Sequence, residues 1–156
     1  SSDVCSSDLY AQSQGVKAHG MNLGGRYVFP FGSVKFVPAL HSSGYEIDDV
    51  MTYMGEASGI ILEAEDKKIY HAGDTALFSD MRLFAKDKSI DVAFLPIGDN
   101  YTMGPEDALQ AVSYLNPKIT IPIHYNTFPV IQQNPAIFVE QVVGGKVLNP
   151  GETILV

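Results

Sequence analysis

Three apolar, β-branched runs in this 156-residue chain each end on a histidine or an aspartate. They are "FVPALHSSG" at 36–44, "IYHAGDT" at 69–75 and "ITIPIHYNTFP" at 119–129. An ionisable side chain at the end of a core strand is costly to bury, so it belongs at an open edge of the sheet. In layered α/β folds, ligands bind in the crevice outside the strand ends. We therefore expect His41, Asp74 and His124 to meet at one such edge.

The order of the stronger patterns predicts an α/β fold. Four apolar or alternating runs form two hairpins, at 26–40 and 58–73, the second one around the charged turn "EDKK". Two strands follow at 91–98 and 118–123, alternating with helical patterns at 105–115 and 135–143. Pro105 at the first helical position and the stripe that begins at Ala108 mark the first of these helices. Hairpins followed by alternating strands and helices indicate a sheet covered by helices.

The remaining segments are less regular. We predict a helix tail at 10–16 closed by Gly15, a short strand at 16–21, a helix at 78–86 and two short strands around "NPGE" near the C-terminus. The segment 45–57, "YEIDDVMTYMGEA", has no clean period, so we interpret it as a long loop. Loops of that length are usually functional or mobile. Starting beside His41, this loop would supply an adaptable apolar wall made of Tyr45, Met51, Tyr53 and Met54. A plain surface connection is an equal alternative.

Composition and net charge limit the kinds of molecule that this chain is expected to bind. The net charge of −8 excludes a binding partner with a phosphate backbone, which needs a basic face. No apolar run approaches the ~20 residues of a membrane helix. Cys5 is the only cysteine, which excludes an internal disulfide and a cysteine-based zinc site and favours a cytoplasmic location. We expect a small-molecule substrate, no nucleic acid and no membrane partner, with homo-oligomer formation left open.

Two imidazoles and one carboxylate are ligands typical of zinc, manganese or iron sites. A carboxylate has two oxygens and can bridge two ions, so Asp74 is the natural bridging ligand, with His41 and His124 on different ions. Two ions ~3.5–4 Å apart hold a hydroxide between them for hydrolysis. The alternative is structural: a histidine at a strand end is often only hydrogen-bonded, and Asp74 suits the cap of the 78–86 helix. Spacing alone leaves both interpretations open.

Four longer motifs carry a family resemblance. They are "PALHSSG", "IYHAGDTALFSDM", "LPIGDNYTMGPEDA" and "IPIHYNTFP". Together they resemble the metallo-β-lactamase superfamily, and within it the small metal-dependent hydrolases of uncharacterised protein family 0173. The resemblance implies a four-layered αββα sandwich with the site at one edge between its two sheets. It implies His41, Asp74 and His124 as metal ligands, Asp74 as bridging and catalytic, and two divalent ions, zinc first and manganese or iron as alternatives.

By the same resemblance, the activity would be attack of a metal-activated water or hydroxide on an ester, amide, lactone or phosphoester bond. The superfamily's His-x-His-x-Asp-His signature, however, is not in this sequence. The first nine residues, "SSDVCSSDL", resemble a translated sequencing adapter. We therefore expect residues 1–9 to be non-native and residues 10–156 to be an N-terminally truncated hydrolase domain without activity. The alternatives are a non-catalytic truncated domain and a serine hydrolase that uses Ser42 or Ser43.

Five further polar residues follow or flank the strand ends, where pocket walls are built. We expect them to line the pocket or to orient a metal-bound side chain from behind. They are His71, Asp99, Asn100, Asn126 and Thr127. A turn-forming role is an equal alternative for Asp99.

Overall fold

A six-stranded mixed sheet organises the chain in the computed structural model, which describes residues 6–156. The eight strands in chain order are β1 (Arg26–Phe29), β2 (Gly32–Pro38), β3 (Gly44–Ile47), β4 (Val50–Tyr53), β5 (Ser58–Ala64), β6 (Lys67–His71), β7 (Val92–Pro96) and β8 (Ile119–Ile123). The large sheet has the order β1-β2-β5-β6-β7-β8, and β3 and β4 form a separate hairpin. Neighbours from β1 to β6 are antiparallel, whereas β6, β7 and β8 are parallel.

Two tight turns set the hairpin registers. Glu65 and Asp66 join β5 to β6, and Asp48 and Asp49 join β3 to β4. All four residues have positive φ, between 48° and 59°. Two consecutive residues of positive φ are the mark of a type I′ turn, whose twist matches that of paired strands. The predicted hairpin at 58–73 is confirmed. The predicted loop at 45–57 is wrong, because most of it is the β3–β4 hairpin.

Three α-helices are described: α1 (Ser6–Ser13), α2 (Pro105–Leu115) and α3 (Pro135–Glu140). The α2 helix starts at Pro105, as predicted, and buries Ala108, Ala111 and Leu115 completely. It packs against β7 and against a short 3-10 helix at Ser79–Leu83. The main core lies on this face of the sheet and includes the fully buried Tyr70, Met81, Leu95 and Met103.

Several weaker predictions fail. The helix predicted at 78–86 is only the 3-10 turn Ser79–Leu83. Of its predicted apolar set, Phe78, Met81 and Phe84 do pack in the core, and Leu83 is exposed. The segment 16–21 forms no strand. The two C-terminal strands are also absent from the described chain. Only Gly145 bridges to Thr120 there. The helix predicted to run to 143 stops at Glu140.

The structure tests only part of the prediction for the N-terminal segment. Residues 1–5 of the predicted non-native segment lie outside the described residues, and 6–9 begin α1. The helix tail closed by Gly15 is confirmed, since Gly15 has φ +77° and the Val16 N–H donates to the Ala11 carbonyl. Among residues 6–156, no helix is long and apolar enough to cross a membrane.

Candidate metal centre

Backbone and side-chain hydrogen bonds tie the strand ends together at one edge of the sheet. The Leu40 N–H donates to Thr75 Oγ1 at 2.9 Å, and the Ala76 N–H donates to the Leu40 carbonyl at 3.0 Å. The Met103 N–H donates to the Thr75 carbonyl at 2.9 Å, and the Asp99 N–H donates to the Met103 carbonyl at 3.0 Å. The segments that follow β2, β6 and β7 therefore share one edge. His41 and Asp74 lie directly beside the first of these bonds.

Asp74 and His124 face each other across this edge. His124 Nε2 lies 3.5 Å from Asp74 Oδ2. The Asp74 side chain is 46% exposed and the His124 side chain 23% exposed, so the carboxylate is open to solvent while the imidazole is largely covered. Asp74 does not cap the Ser79–Leu83 turn, whose N-cap is Phe78 without a side-chain bond. The capping alternative is therefore wrong.

The backbone at His124 is held in an uncommon conformation. Its φ is +54°, in the left-handed region that non-glycine residues seldom adopt. A Cβ on Gly98 would lie 2.3 Å from the His124 carbonyl oxygen, so only glycine fits at that position. His124 Nδ1 is buried and has no hydrogen-bond partner among residues 6–156. Backbone strain and unsatisfied polar atoms lower the stability of a fold. They are therefore found mainly at functional sites, where the function requires them.

His41 is exposed at the neighbouring strand end. Its Nδ1 lies 2.8 Å from the Ser42 carbonyl oxygen. A carbonyl only accepts, so Nδ1 carries the hydrogen and Nε2 keeps its lone pair for a ligand. Within residues 6–156, however, no three His, Cys, Asp or Glu side chains gather closely enough to hold an ion. The structure thus brings Asp74 and His124 together and leaves His41 beside them. The ligand role of all three stays a prediction.

His71 is engaged with its own loop. Its Nδ1 accepts a hydrogen bond from the Gly73 N–H at 3.1 Å, and its ring stacks on Phe94 with centroids 5.6 Å apart. Burial lowers the pKa of His71, and the nearby Asp74 carboxylate opposes that shift. The Nδ1 lone pair is therefore in use, and the proton of the neutral ring resides on Nε2.

Two of the other predicted pocket residues, Asp99 and Asn126, accept hydrogen bonds from nearby backbone N–H groups. Asp99 Oδ1 accepts from the Asn100 N–H at 2.8 Å, and Asn126 Oδ1 accepts from the Gln133 N–H at 2.8 Å. Asp99, Asn100 and Asn126 have positive φ, and Thr127 is exposed. The Asp99 bond fits the turn-forming alternative for that residue. The pocket roles remain predictions.

A groove opens beside His41. It has a volume of about 630 Å³ and is lined by His41, Ser42, Ser43, Gly44, Met51, Tyr53, Gly55 and Glu56. The Tyr53 hydroxyl donates to Glu56 Oε1 at 2.6 Å. Tyr53 is thus part of the groove wall, as expected, but Met54 is 9% exposed and lies in the core. Met51, also expected in the wall, lines the groove on the same face of the hairpin as Tyr53, whereas Tyr45 lies on the opposite face.

Thr75 is the site residue that sequence reasoning missed. It is fully buried, accepts from Leu40 and donates to the Ala76 carbonyl at 2.8 Å. It therefore positions the segments that carry His41 and Asp74. Its place directly after Asp74 is the only signal in the sequence, and that signal does not reveal a partner 35 residues away.

The fold is that of a known class. Residues 3–125 match the beta-lactamase superfamily domain, and the chain belongs to that superfamily. A UPF0173 metal-dependent hydrolase of Enterococcus faecalis is 96% identical over 148 residues, which cover 95% of this chain and 66% of the relative. A Bacillus cereus protein of the same name is 55% identical over 145 residues, covering 90% of this chain and 64% of the relative.

A solved structure agrees with this assignment. Igni18, described as a novel metallo hydrolase from the archaeon Ignicoccus hospitalis, superposes with a TM-score of 0.82 at 36% identity, covering 94% of this chain and 64% of Igni18. The chain thus spans just under two thirds of the length of these relatives. The predicted family and the α/β metallo-β-lactamase fold class are confirmed, and the relatives are metal-dependent hydrolases by name.

Proposed function

We propose that this chain carries part of the centre of a metal-dependent hydrolase, with His41, Asp74 and His124 as its share of the metal ligands. The observation that carries the proposal is the 3.5 Å approach of His124 Nε2 to Asp74 Oδ2 at a solvent-reachable sheet edge. His41 follows the strand end that Thr75 ties to the same edge. Membership of the beta-lactamase superfamily supports this assignment.

The donor atoms suit a divalent ion. His41 Nε2 has a free lone pair, because the Nδ1 hydrogen is given to the Ser42 carbonyl. The Asp74 carboxylate is open to solvent, and its two oxygens fit a bridging role. This nitrogen and oxygen set fits zinc first, and manganese or iron as alternatives. When bound, one or two such ions would activate water and take up the negative charge that develops during hydrolysis of an ester, amide, lactone or phosphoester bond.

The chain's own residues position these donors. The Gly98 contact and the left-handed backbone fix the direction of His124, and Thr75 fixes the distance between the His41 and Asp74 segments. Rigid support of this kind matters because ligand geometry must be correct to a fraction of an ångström. The groove beside His41 provides the place for a substrate.

A serine hydrolase is the less favoured alternative. Among residues 6–156, no hydrogen bond joins the Ser42 or Ser43 hydroxyl to a histidine. A serine nucleophile needs a base within hydrogen-bond reach. The histidine beside these serines, His41, instead bonds to the Ser42 carbonyl.

The sequence lacks the His-x-His-x-Asp-His pattern, so we expect weak metal binding and no turnover by this chain alone. The test is an assay of this chain and of the Enterococcus faecalis relative on ester, lactone and phosphodiester probes, with and without added zinc. The proposal expects chelator-sensitive hydrolysis by the relative only. Chelator-resistant activity that is lost with Ser42→Ala would favour the serine alternative. No hydrolysis by either protein on any probe would favour a non-catalytic domain.

A further inference from the structure

The β3–β4 hairpin has two different faces. The antiparallel register pairs Gly44 with Tyr53 and Glu46 with Met51, so these four side-chain positions share one face. Gly44, Met51 and Tyr53 of that face line the groove beside His41. The hairpin is therefore one wall of the groove, and its exposed side chains, Met51 at 70% and Tyr53 at 61%, offer apolar surface to a ligand.

The other face of the hairpin is backed by α1. Tyr45 on that face packs against Tyr10 with ring centroids 5.3 Å apart. The Met54 N–H donates to the Ser43 carbonyl at 3.0 Å, which closes the base of the hairpin. The wall thus has support from behind and at its root, as a binding surface requires.

Glycine at position 44 lets the wall methionine lie across the groove. A Cβ on Gly44 would come within 2.9 Å of Met51 Sδ. A methionine side chain is flexible, so Gly44→Ala would displace the thioether without breaking the backbone pairing. This contact allows the apolar wall to be altered with no change of charge.

Glu56 is the acidic residue of the groove lining and is exposed. Among the described residues, the only basic side chain in the lining is the imidazole of His41, and no lysine or arginine is present there. The Tyr53 hydroxyl donates to one carboxylate oxygen of Glu56. With no metal bound, Glu56 would therefore repel an anionic ligand and attract a cationic one, and would have little effect on a neutral molecule.

We propose that, of the substrates named above, this groove selects esters, amides or lactones that are neutral or cationic and carry a small aromatic or apolar group, and excludes anionic phosphoesters. Met51 and Tyr53 contact the apolar group and Glu56 discriminates charge. That these molecules are substrates rests on the proposed function. Their binding in the groove depends only on the hairpin and Glu56.

Benzamide, benzoate and benzamidinium test the proposal, because they share one shape and differ in charge. The reporter is the Met51 methyl signal in the chain labelled with ¹³C at its methionine methyl groups, which are only five in number. Met51→Leu assigns the signal. Titrations are carried out without added metal, so the binding result does not depend on whether the hydrolase proposal is correct.

We expect benzamidinium and benzamide to shift the Met51 signal, with benzamidinium binding about tenfold more tightly than benzoate. Glu56→Gln should reduce that ratio to below about threefold, and Glu140→Gln, which removes an exposed carboxylate at the end of α3, should preserve it. Gly44→Ala should weaken all three probes together. Equal binding of benzoate and benzamidinium, an unchanged ratio in Glu56→Gln, or no shift with any probe would overturn the proposal.

Discussion

Thr75 Oγ1 accepts a hydrogen bond from the Leu40 N–H at 2.9 Å, which joins the strand end before His41 to the loop that carries Asp74. The same hydroxyl donates to the Ala76 carbonyl. Thr75→Val keeps the volume and removes both bonds. Because the Leu40 N–H loses its buried partner, we expect the free energy of unfolding to fall by about 1–3 kcal/mol. Denaturant melts measure this.

The matched control is Thr127→Val, since Thr127 is exposed and lies in the loop after His124. Its stability should stay within about 0.5 kcal/mol of the parent chain. An unchanged melt for Thr75→Val would show that Thr75 does not connect the two segments.

The fold was largely predictable, because local patterns determine most of it. The β-branched runs gave the strands that carry His41, Asp74 and His124, and Pro105 gave the start of α2. The β3–β4 hairpin was missed, since the turn residues Asp48 and Asp49 lack the Asn-Gly signature that usually marks a type I′ turn.

The site was predictable only as a set of strand ends. Three residues at strand ends identify an edge, but their mutual distances depend on contacts between remote segments. The Gly98 approach to His124 and the Thr75 bond to Leu40 are of this kind. No periodicity in the sequence encodes them.

The buried Asp91 carboxylate links β6, β7 and β8 at the ends opposite the candidate metal centre. Asp91 is 2% exposed, and its two oxygens accept from Lys118 Nζ at 2.7 Å and from the Lys68 N–H at 2.8 Å. The hydrogen bond from Lys118 has the largest effect and the bond from the Lys68 N–H the next largest, and together they hold the pKa of Asp91 below its usual range. A carboxyl whose folded-state pKa is lowered contributes stability above its unfolded pKa, and loses it as pH falls through the folded pKa.

We therefore expect Asp91→Asn to lower the free energy of unfolding at pH 7 by about 1–3 kcal/mol. The difference from the parent chain should begin to shrink as pH falls below about 4, where the Asp91 carboxyl of the unfolded chain takes up a proton. It should continue to shrink until the folded-state carboxyl, whose pKa is lower, is protonated as well. Asp87→Asn, at an exposed position, is the control for loss of one negative charge. A difference that stays constant from pH 7 to pH 3 would contradict this account.

The second face of the large sheet is apolar and only partly covered. Phe36 and Ile60 pair across β2 and β5 on this face, and Ile60 is 38% exposed. Exposed apolar sheet surface promotes association. We expect the chain to self-associate in sedimentation velocity at micromolar concentration and Ile60→Lys to shift it toward monomer.

Val143→Lys is the comparison, because Val143 is 93% exposed and lies after α3, away from that face. It should leave the association unchanged. A parent chain that sediments as a monomer at all concentrations would show that this face does not mediate contacts.

Zinc titration by calorimetry tests the central claim most directly. In a Cys5→Ser background, which removes the only thiol, the parent chain and variants Asp74→Asn, His124→Gln and His41→Gln are compared with the control His19→Gln, whose ring packs on Tyr27. The account predicts weak saturable binding in the parent and in His19→Gln, and affinity lower by about tenfold or more in each of the other three. Equal affinity in Asp74→Asn and the parent would contradict a metal centre at this edge.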